Sequence, residues 1–359
     1  MSIATKAEVL KALTQVLEPQ LQQDIVSLNM VREIQLEGNK LSFTIILTPA
    51  MQAMQGPLED EIIKALRPVK GIDDVSVRFD STIHADSRLM SKMDIGVKNA
   101  IAVASGKGGV GKSTVSTNLA ISLALDGAKV GLLDADIYGP NIPMMMGIDA
   151  RPVGQGQKIM PPQAFGVKLM SMGFLVNPKD AVIWRGPMVH NALRQFLQDV
   201  DWGGLDYLVI DLPPGTGDVS LSLAQSLGLT GAVIVTTPQK VALSDVIRGV
   251  GMFKQLNVPI LGVVENMSYF IAPDTGNRYD IFGHGGGADM AKEVEVDFLG
   301  EIPLEPQVRI GGDEGQPIVI RDPASPAAQA IRAITRRVET TVANRNLAES
   351  SGPKLSILS

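Results

Sequence analysis

Residues 101–118, IAVASGKGGVGKSTVSTN, decide the fold of this chain. A short β-branched run meets a loop with four glycines, and a helix-compatible segment follows the loop. This order is typical of a phosphate-binding P-loop, because the glycines let successive backbone N–H groups turn toward one anion. A helix that begins near Lys112 adds the positive end of its dipole at the same place. The alternative, a purely structural glycine turn, does not account for this strand-to-helix context.

The P-loop assigns a role to each residue in it. Lys112 is predicted to hold the outer phosphates as a point charge, and the Ser113 hydroxyl to bind magnesium. The sequence therefore predicts ATP and magnesium as cofactors. The predicted nucleotide-binding residues of the loop are Gly106, Lys107, Gly108, Gly109, Val110, Gly111, Lys112, Ser113 and Thr114.

Composition limits the possible functions. A formal net charge of −6 argues against a nucleic-acid surface and against a polybasic membrane patch. No apolar run reaches the roughly 18 residues that span a bilayer, and the first residues do not resemble a signal peptide, so we expect a cytoplasmic protein. The chain has no cysteine, which excludes thiolate-ligated metals and cysteine nucleophiles from its own residues. Its three histidines are too scattered in sequence to suggest a metal cluster.

Hydrophobic patterning predicts an α/β protein with two folded parts. Residues 1–80 follow the order α-β-β-α-β and form a small α/β domain. Residues 81–98 are polar and aperiodic, which predicts a linker. Residues 99–343 contain short buried strands between helical segments, which indicates a P-loop NTPase domain with a mostly parallel sheet covered by helices on both faces. Residues 344–359 are predicted to be a flexible tail.

Two apolar strands of this domain are predicted to end in aspartates, at the edge where parallel sheets bind ligands. The first ends in Asp134 and Asp136, which are well placed for magnesium and an attacking water; Asp134 either aids the metal or caps the next turn. The second ends in Asp211, the Walker B arrangement that holds magnesium directly or through water. Asp218 follows shortly afterwards and is either a switch residue or a helix cap.

Lys107 is a second lysine that an ordinary P-loop does not need. With it, GKGGVGKST resembles the deviant P-loop of the MinD/ParA/nitrogenase-reductase class of ATPases. In that class the extra lysine reaches across a dimer interface to the partner's nucleotide, so the resemblance implies a homodimer. A mobile cation of this kind raises phosphoryl-transfer rates by about 10³–10⁵. The alternative for Lys107 is a solvated loop lysine.

The same resemblance gives roles to residues outside the loop. Asp136 matches the aspartate that orients the attacking water. Asn266 matches the asparagine that recognises adenine, and an amide offers the donor and the acceptor that an adenine edge requires. A helix cap is the alternative for Asn266. The predicted catalytic residues are therefore Lys107, Lys112, Asp136 and Asp211, and the predicted magnesium ligands are Ser113 and Asp211.

Further stretches narrow the resemblance to one branch. WRGPM at 184–188 and ENMSYF at 265–270, with FGHGGG at 282–287, resemble the Mrp/ApbC branch, whose members are ATPases that carry iron–sulfur clusters to apoproteins. Residues 1–80 resemble the MIP18 domains linked to cluster assembly. The resemblance implies ATP hydrolysis, a bound iron–sulfur cluster, and cluster-assembly proteins and apoprotein clients as partners. No nucleic-acid or membrane partner is expected.

The residues that would hold a cluster are missing. Members of the branch usually carry a Cys-x-x-Cys pair between the Tyr-Phe and the Phe-Gly-x-Gly-Gly-Gly stretches. Here the aligned positions fall at about Ala272 and Thr275, and neither side chain can replace a thiolate. The cysteine that often follows Thr-Pro in MIP18 domains is also absent, with Ala50 and Met51 in its neighbourhood. No iron–sulfur ligand is identifiable, so a cluster would need nonstandard ligands or another protein's cysteines.

The sequence leaves three functions open. The first is an ATPase that binds clusters and transfers them to apoproteins. The second is a nucleotide-gated scaffold for cluster assembly that does not itself bind a cluster, which the missing cysteines favour. The third is a MinD/ParA-like positioning ATPase, which predicts a terminal membrane helix or a basic patch. Residues 350–358 are too short and too broken for such a helix.

Overall fold

The computed structural model describes residues 4–18, 24–28, 30–47, 49–92, 95–137, 139–175, 186–215 and 217–350. Contacts divide the chain into two compact units, Met1–His84 together with Glu339–Ser359, and Ala85–Val338. None of the helices in the described ranges combines the length and the apolar character needed to cross a bilayer. Trp184 and Arg185 of the WRGPM stretch lie outside the described residues, as does the end of the predicted tail.

The first unit has the predicted α-β-β-α-β order. Its elements are α1 (Lys6–Leu13), β1 (Val31–Glu37), β2 (Lys40–Ile46), a 3-10 helix (Pro49–Met54), α2 (Gln55–Leu66) and β3 (Asp74–Asp80). Strand β2 lies in the middle, antiparallel to β1 and parallel to β3. Thr5 and Glu8 form a reciprocal capping box that begins α1. Apolar side chains of β2 and α2, such as Phe43, Ile45 and Ile62, are buried in a common core.

The second unit alternates strands and helices. Its elements are α3 (Ser87–Lys92), β4 (Val97–Ser105), α4 (Lys112–Leu125), β5 (Val130–Asp134), α5 (Ile142–Met145), β6 (Val153–Gln155), β7 (Lys158–Met160), β8 (Gln163–Ala164), β9 (Val167–Ser171), a 3-10 helix (Met172–Leu175), α6 (Gly186–Gln198), β10 (Leu205–Asp211), α7 (Asp218–Ser226), β11 (Gly231–Thr236), α8 (Lys240–Gln255), β12 (Ile260–Asn266), β13 (Phe270–Ile271), β14 (Arg278–Tyr279), α9 (Gly286–Glu293), β15 (Phe298–Ile302), α10 (Pro306–Asp313), α11 (Ile318–Arg321) and, as far as Val338, α12 (Pro326–Ser350).

One eight-stranded sheet organises this unit, in the order β15-β12-β11-β4-β10-β5-β9-β8. Every neighbouring pair is parallel except β8 and β9. Helices cover the sheet: α6, α7 and α8 contribute Leu193, Leu223 and Phe253 to one core cluster with the strands, and α4 lies against β5 and β10. The predicted P-loop fold with a mostly parallel sheet is confirmed.

The parallel register lines up polar residues along one edge of the sheet. Asp134 is paired with Ser171 on one side and with Asp211 on the other. Farther along the same edge, Glu265 of β12 is paired with Glu301 of β15. Because parallel strands all end at this edge, the chain places its acidic strand ends beside the loop that follows β4.

The segment predicted as a linker, residues 81–98, contains more structure than its sequence suggests. Residues 87–92 form α3, and the central strand β4 already begins at Val97. Short polar segments escape detection by periodicity because one and a half turns present too few apolar positions.

The predicted tail is also partly helical. Helix α12 continues to Ser350, and residues 339–350 belong with the first unit. Within that unit the side-chain amide of Asn344 donates to the Leu28 carbonyl at 2.5 Å, and that of Asn346 donates to the His84 carbonyl at 2.9 Å. Two polar residues of the predicted tail thus have hydrogen-bond partners, and its described part, residues 344–350, is helical.

Candidate nucleotide site

The P-loop has the backbone that the glycines predict. Strand β4 ends at Ser105, and Gly109 and Gly111 adopt φ angles of 80° and 79°, which side chains other than glycine's rarely adopt. Helix α4 begins immediately afterwards at Lys112. The Ser105 carbonyl accepts from the N–H of Gly215 at 2.8 Å, and its hydroxyl donates to the Lys107 carbonyl at 2.9 Å. The base of the loop is therefore tied to the segment that follows β10.

A buried ion pair lies directly below the loop. The Lys112 ammonium donates to Oδ2 of Asp211 at 2.7 Å, and the two side chains are 6% and 0% exposed. The Ser113 hydroxyl donates to the same carboxylate oxygen at 2.7 Å, while the Ser116 hydroxyl donates to Oδ1 at 2.5 Å. Three predicted site residues thus converge on one point, and Asp211 is fully satisfied there.

Asp134 lies beside this pair and is equally buried. Its carboxyl accepts from the Ser171 hydroxyl at 2.8 Å and from the backbone N–H of Asp136 at 3.2 Å. Burial and then the neighbouring charge of Asp211 raise the pKa of Asp134 to about 8. Asp134 therefore carries a proton at neutral pH, and the interior holds one ion pair rather than two carboxylates and one lysine.

The remaining predicted residues are found in different positions around this centre. Asp136 follows Asp134 at the mouth of the site and is partly exposed. The Lys107 ammonium lies 3.3 Å from Oε1 of Gln239 in the same chain. Asp218 is the first residue of α7, whose N-cap position is Gly217.

Asn266 ends β12 and faces the P-loop. Its amide nitrogen donates to the Val110 carbonyl at 2.8 Å, and the side chain is almost completely buried. A cavity of about 360 Å³ opens next to it, with Met145, Met267 and Leu304 among its walls. The cavity is mostly apolar with a few polar groups, which is typical of sites that bind a flat organic ring.

Three residues that hydrogen-bond to the predicted site residues were not themselves predicted from the sequence. Ser116 follows Lys112 by one helical turn, so its position on the same face of α4 could have indicated it. Ser171 ends an apolar strand, as Asp134 and Asp211 do, and inspection of strand ends could have found it. Gln239 precedes α8 by one residue and offers no comparable signal, because only the packing of α8 beside the P-loop brings it to Lys107.

The position expected for a cysteine pair lies away from this site. Ala272 and Thr275 belong to the turn between β13 and β14, where the Ala272 carbonyl accepts from the N–H of Gly276 at 2.8 Å. Neither side chain offers a ligand that iron–sulfur clusters use. The structure thus supports a nucleotide site but provides no thiolate site for a cluster.

Two known families match the chain. Residues 96–339, more than half of the chain, match the family described as NUBPL iron-transfer P-loop NTPase. The chain belongs to this family. Residues 6–79 match the family described as iron–sulfur cluster assembly protein. The predicted resemblance to iron–sulfur carrier ATPases of the Mrp/ApbC type with an N-terminal MIP18-like domain is confirmed.

Individual relatives agree with this assignment. The iron–sulfur cluster carrier protein of Synechocystis sp. is 48% identical over 341 residues, which cover 93% of this chain and 97% of the relative. The iron–sulfur cluster transfer protein NUBPL of Dictyostelium discoideum is 51% identical over 246 residues, or 68% of this chain and 76% of the relative.

Solved structures resemble about two thirds of this chain. The nucleotide-binding protein of Archaeoglobus fulgidus, in complex with ADP, is 39% identical and covers 65% of this chain and 92% of its own, with a TM-score of 0.57. The cell division ATPase MinD of Pyrococcus furiosus is 26% identical, covers 67% of this chain and 98% of its own, and has a TM-score of 0.52. The predicted likeness to MinD and ParA is confirmed.

Proposed function

We propose that this NUBPL-type protein is an ATPase of iron–sulfur cluster assembly whose nucleotide site is formed by the P-loop and Asp211. The convergence of Lys112, Ser113 and Asp211 within hydrogen-bonding distance carries this proposal. The Ser113 hydroxyl and the Asp211 carboxylate are hard oxygen ligands 2.7 Å apart, so the residues present fit magnesium. When bound, magnesium would neutralise charge on the phosphates.

Nucleotide binding exchanges the partner of Lys112. The Asp211 carboxylate neutralises the Lys112 ammonium, and both side chains are buried. Phosphate oxygens that enter the loop meet the backbone N–H groups and the positive end of α4, and they take over Lys112. The Asp211 carboxylate and the Ser113 hydroxyl are the groups that would hold magnesium. The exchange is favourable because no charge is left without a partner in the buried site.

Two further residues, Asp136 and Lys107, take part in hydrolysis. Asp136, at the mouth of the site, holds the attacking water in line with the outer phosphate. Lys107 leaves Gln239 and reaches the phosphates bound by a second copy of the chain. Two copies therefore complete two sites, and a homodimer is the active form.

Asn266 contributes recognition of adenine. Within the described residues its amide nitrogen is the side-chain atom that bonds the protein, so its oxygen can accept from the amino group of adenine. The apolar walls formed by Met145, Met267 and Leu304 enclose the ring. A guanine in the same place would present a carbonyl oxygen to the Asn266 oxygen, which disfavours it.

The role of the nucleotide cycle follows from the family, and the missing cysteines restrict it. The chain has no thiolate, so it cannot hold a cluster with its own cysteines. A cluster that it transfers as cargo needs another protein's cysteines or nonstandard ligands. A second candidate is therefore a nucleotide-gated scaffold that brings cluster-assembly proteins and apoprotein clients together without binding the cluster.

Steady-state ATP hydrolysis tests the dimeric site. We expect the rate per subunit to rise with protein concentration. Lys107→Ala should remove this dependence on concentration and lower the rate by a thousandfold or more. Lys64→Ala, an exposed lysine in the first unit, is the matched control and should behave as the unaltered protein does. A Lys107→Ala protein that hydrolyses ATP at the unaltered rate contradicts the role across the dimer.

Anaerobic reconstitution separates carrier from scaffold. The protein is incubated with iron and sulfide, alone and with a cysteine-bearing assembly protein, and iron and sulfide are quantified after gel filtration with and without ATP. Cluster that co-migrates only with the assembly protein supports the scaffold. Stable iron and sulfide on the isolated chain contradicts it.

A further inference from the structure

A second group of charged side chains lies at the same sheet edge, away from the nucleotide site. Glu265 and Glu301 are neighbours in the register of β12 and β15, and His284 lies in the loop before α9. One ligand atom from each of the three residues lies within 4.8 Å of the other two. We propose that Glu265, His284 and Glu301 form a site for a divalent transition metal, and that the Arg278 guanidinium is the cation that this metal displaces.

The orientation of the histidine supports this proposal. Nη2 of Arg278 lies 2.7 Å from Nδ1 of His284. A guanidinium can only donate, so Nδ1 must accept and its lone pair is directed into the group. Nδ1 is also 3.8 Å from Oε1 of Glu301. A metal binds an imidazole through a ring nitrogen of this kind, whose lone pair faces the ion.

Hydrogen bonds hold the Glu265 carboxylate in a fixed position in the proposed metal site. It is fully buried, with one carboxylate oxygen accepting from the Ser268 hydroxyl at 2.6 Å and the other from the N–H of Gly287 at 2.5 Å. Each carboxylate oxygen has two acceptor positions, so these bonds leave room for a metal. Hydrogen bonds of this kind orient metal ligands and are a common feature of protein metal sites.

Arg278 can leave the group without losing all its partners. Its guanidinium is 3.5 Å from Oε2 of Glu301, but it also pairs with Asp280 at 3.0 Å and stacks at 4.0 Å over the Tyr269 ring. The side chain is 42% exposed, so water can replace the contacts that it gives up. Displacement therefore exchanges one cation for another while Asp280 and Tyr269 keep the arginine nearby.

The ligand set determines which metals fit. One imidazole nitrogen and two carboxylate oxygens suit zinc, iron(II) and cobalt(II), whereas magnesium and calcium prefer oxygen alone and copper(I) prefers sulfur. Glu301 and His284 are partly exposed, so water can complete the coordination. The site contains no P-loop residue, although Glu265 directly precedes Asn266, and it does not depend on the proposed ATP hydrolysis.

Cobalt(II) titration of the full-length, chelator-stripped protein tests the site, with calorimetry for affinity and visible absorption for coordination. We expect one site per chain that zinc displaces and excess magnesium does not. His284→Ala and Glu301→Gln should each weaken binding by at least about tenfold, since even outer-shell partners contribute that much. Arg278→Gln should strengthen it, because the competing cation is gone. These variants avoid the buried Glu265, whose replacement could unfold the protein.

His190→Ala is the matched control, because it removes a partly exposed histidine elsewhere in the same unit. Its cobalt affinity should equal that of the unaltered protein. Equal affinity in His284→Ala and the unaltered protein overturns the proposal, as does an Arg278→Gln variant that binds no more tightly. An absorption spectrum unchanged between His284→Ala and the unaltered protein overturns it as well, because the imidazole would then not be a ligand.

Discussion

The nucleotide site and the group around Arg278 place similar charges in opposite surroundings. In both, a cation lies among carboxylates at the ends of neighbouring parallel strands. Lys112 and Asp211 are buried, with side chains 6% and 0% exposed, whereas Arg278 and Glu301 are 42% and 25% exposed. A buried cation can only exchange one protein or ligand partner for another, because water cannot stabilise it in between. An exposed cation can leave.

The two groups also differ in how they limit repulsion between carboxylates. The buried group holds a proton on Asp134, so that Asp211 alone is charged beside Lys112. In the exposed group, water screens Glu301 while the N–H of Gly287 and the Ser268 hydroxyl stabilise Glu265. Burial thus makes the protonation of Asp134 important in the nucleotide site. Exposure makes the group around Arg278 accessible to the proposed metal.

The largest effect on stability is expected when the buried cation, Lys112, is removed. Lys112→Ala leaves Asp211 charged and unpaired in the interior, so we expect the free energy of unfolding to fall by about 3–5 kcal/mol. Urea unfolding followed by tryptophan fluorescence measures it, because both tryptophans lie within Ala85–Val338. The double variant Lys112→Ala/Asp211→Asn should regain much of this stability and still fail to hydrolyse ATP. A loss below 1 kcal/mol in the single variant would contradict a buried ion pair.

The proton on Asp134 gives the buried group a pH dependence. Its pKa is near 3.9 in the unfolded chain and about 8 in the folded one, so between these values only the folded state binds the proton. Stability should therefore fall as pH rises from 5 to 8, by up to about 1.4 kcal/mol per pH unit from this group. Asp134→Asn should flatten the slope in urea unfolding across this range. Asp149→Asn, an exposed aspartate, should leave it unchanged, and equal slopes in all three proteins would argue against a buried proton.

The smallest effect is expected for the exposed cation. Arg278→Gln should change the free energy of unfolding by less than about 1 kcal/mol, since exposed ion pairs contribute little. Added salt should reduce the change further. Arg248→Gln, which removes an exposed arginine paired with Asp245, is the control and should match it. A loss as large as that of Lys112→Ala would show that Arg278 has a structural role that solvent cannot replace.

The nucleotide site was predictable where its signal is local. The glycine loop, Lys112 and Ser113 form one continuous stretch, and Asp134 and Asp211 end apolar runs that parallel strands bring to one edge. Pairings between distant segments were not predictable. Nothing in the sequence shows that Lys112 bonds Asp211 or that Lys107 bonds Gln239, because these contacts arise from packing.

The group around Arg278 is a clearer example of contacts that the sequence does not predict. The histidines are scattered along the chain, which argued against a metal cluster. His284 nevertheless lies beside Glu265 and Glu301 because β12 and β15 are adjacent and α9 packs over their ends. Sequence distance between ligands is a weak guide in a sheet whose order differs from its chain order. The helical end of α12 could not be predicted for a related reason. The hydrogen-bond partners of Asn344 and Asn346 lie far away in the sequence.

The hydrogen bond from Asn266 to the Val110 carbonyl limits how this protein can be redesigned. A carboxylate at position 266 would set an acceptor against that carbonyl, and a longer amide would not fit the space beside Gly111, where even a Cβ would approach the Asn266 nitrogen to 2.1 Å. In the proposed adenine contact, a preference for another nucleobase therefore cannot be introduced at position 266 without also disturbing the phosphate loop. One side chain would then serve both base recognition and loop shape, so a search for altered nucleotide specificity should begin at Met145 and Leu304, which line the same cavity.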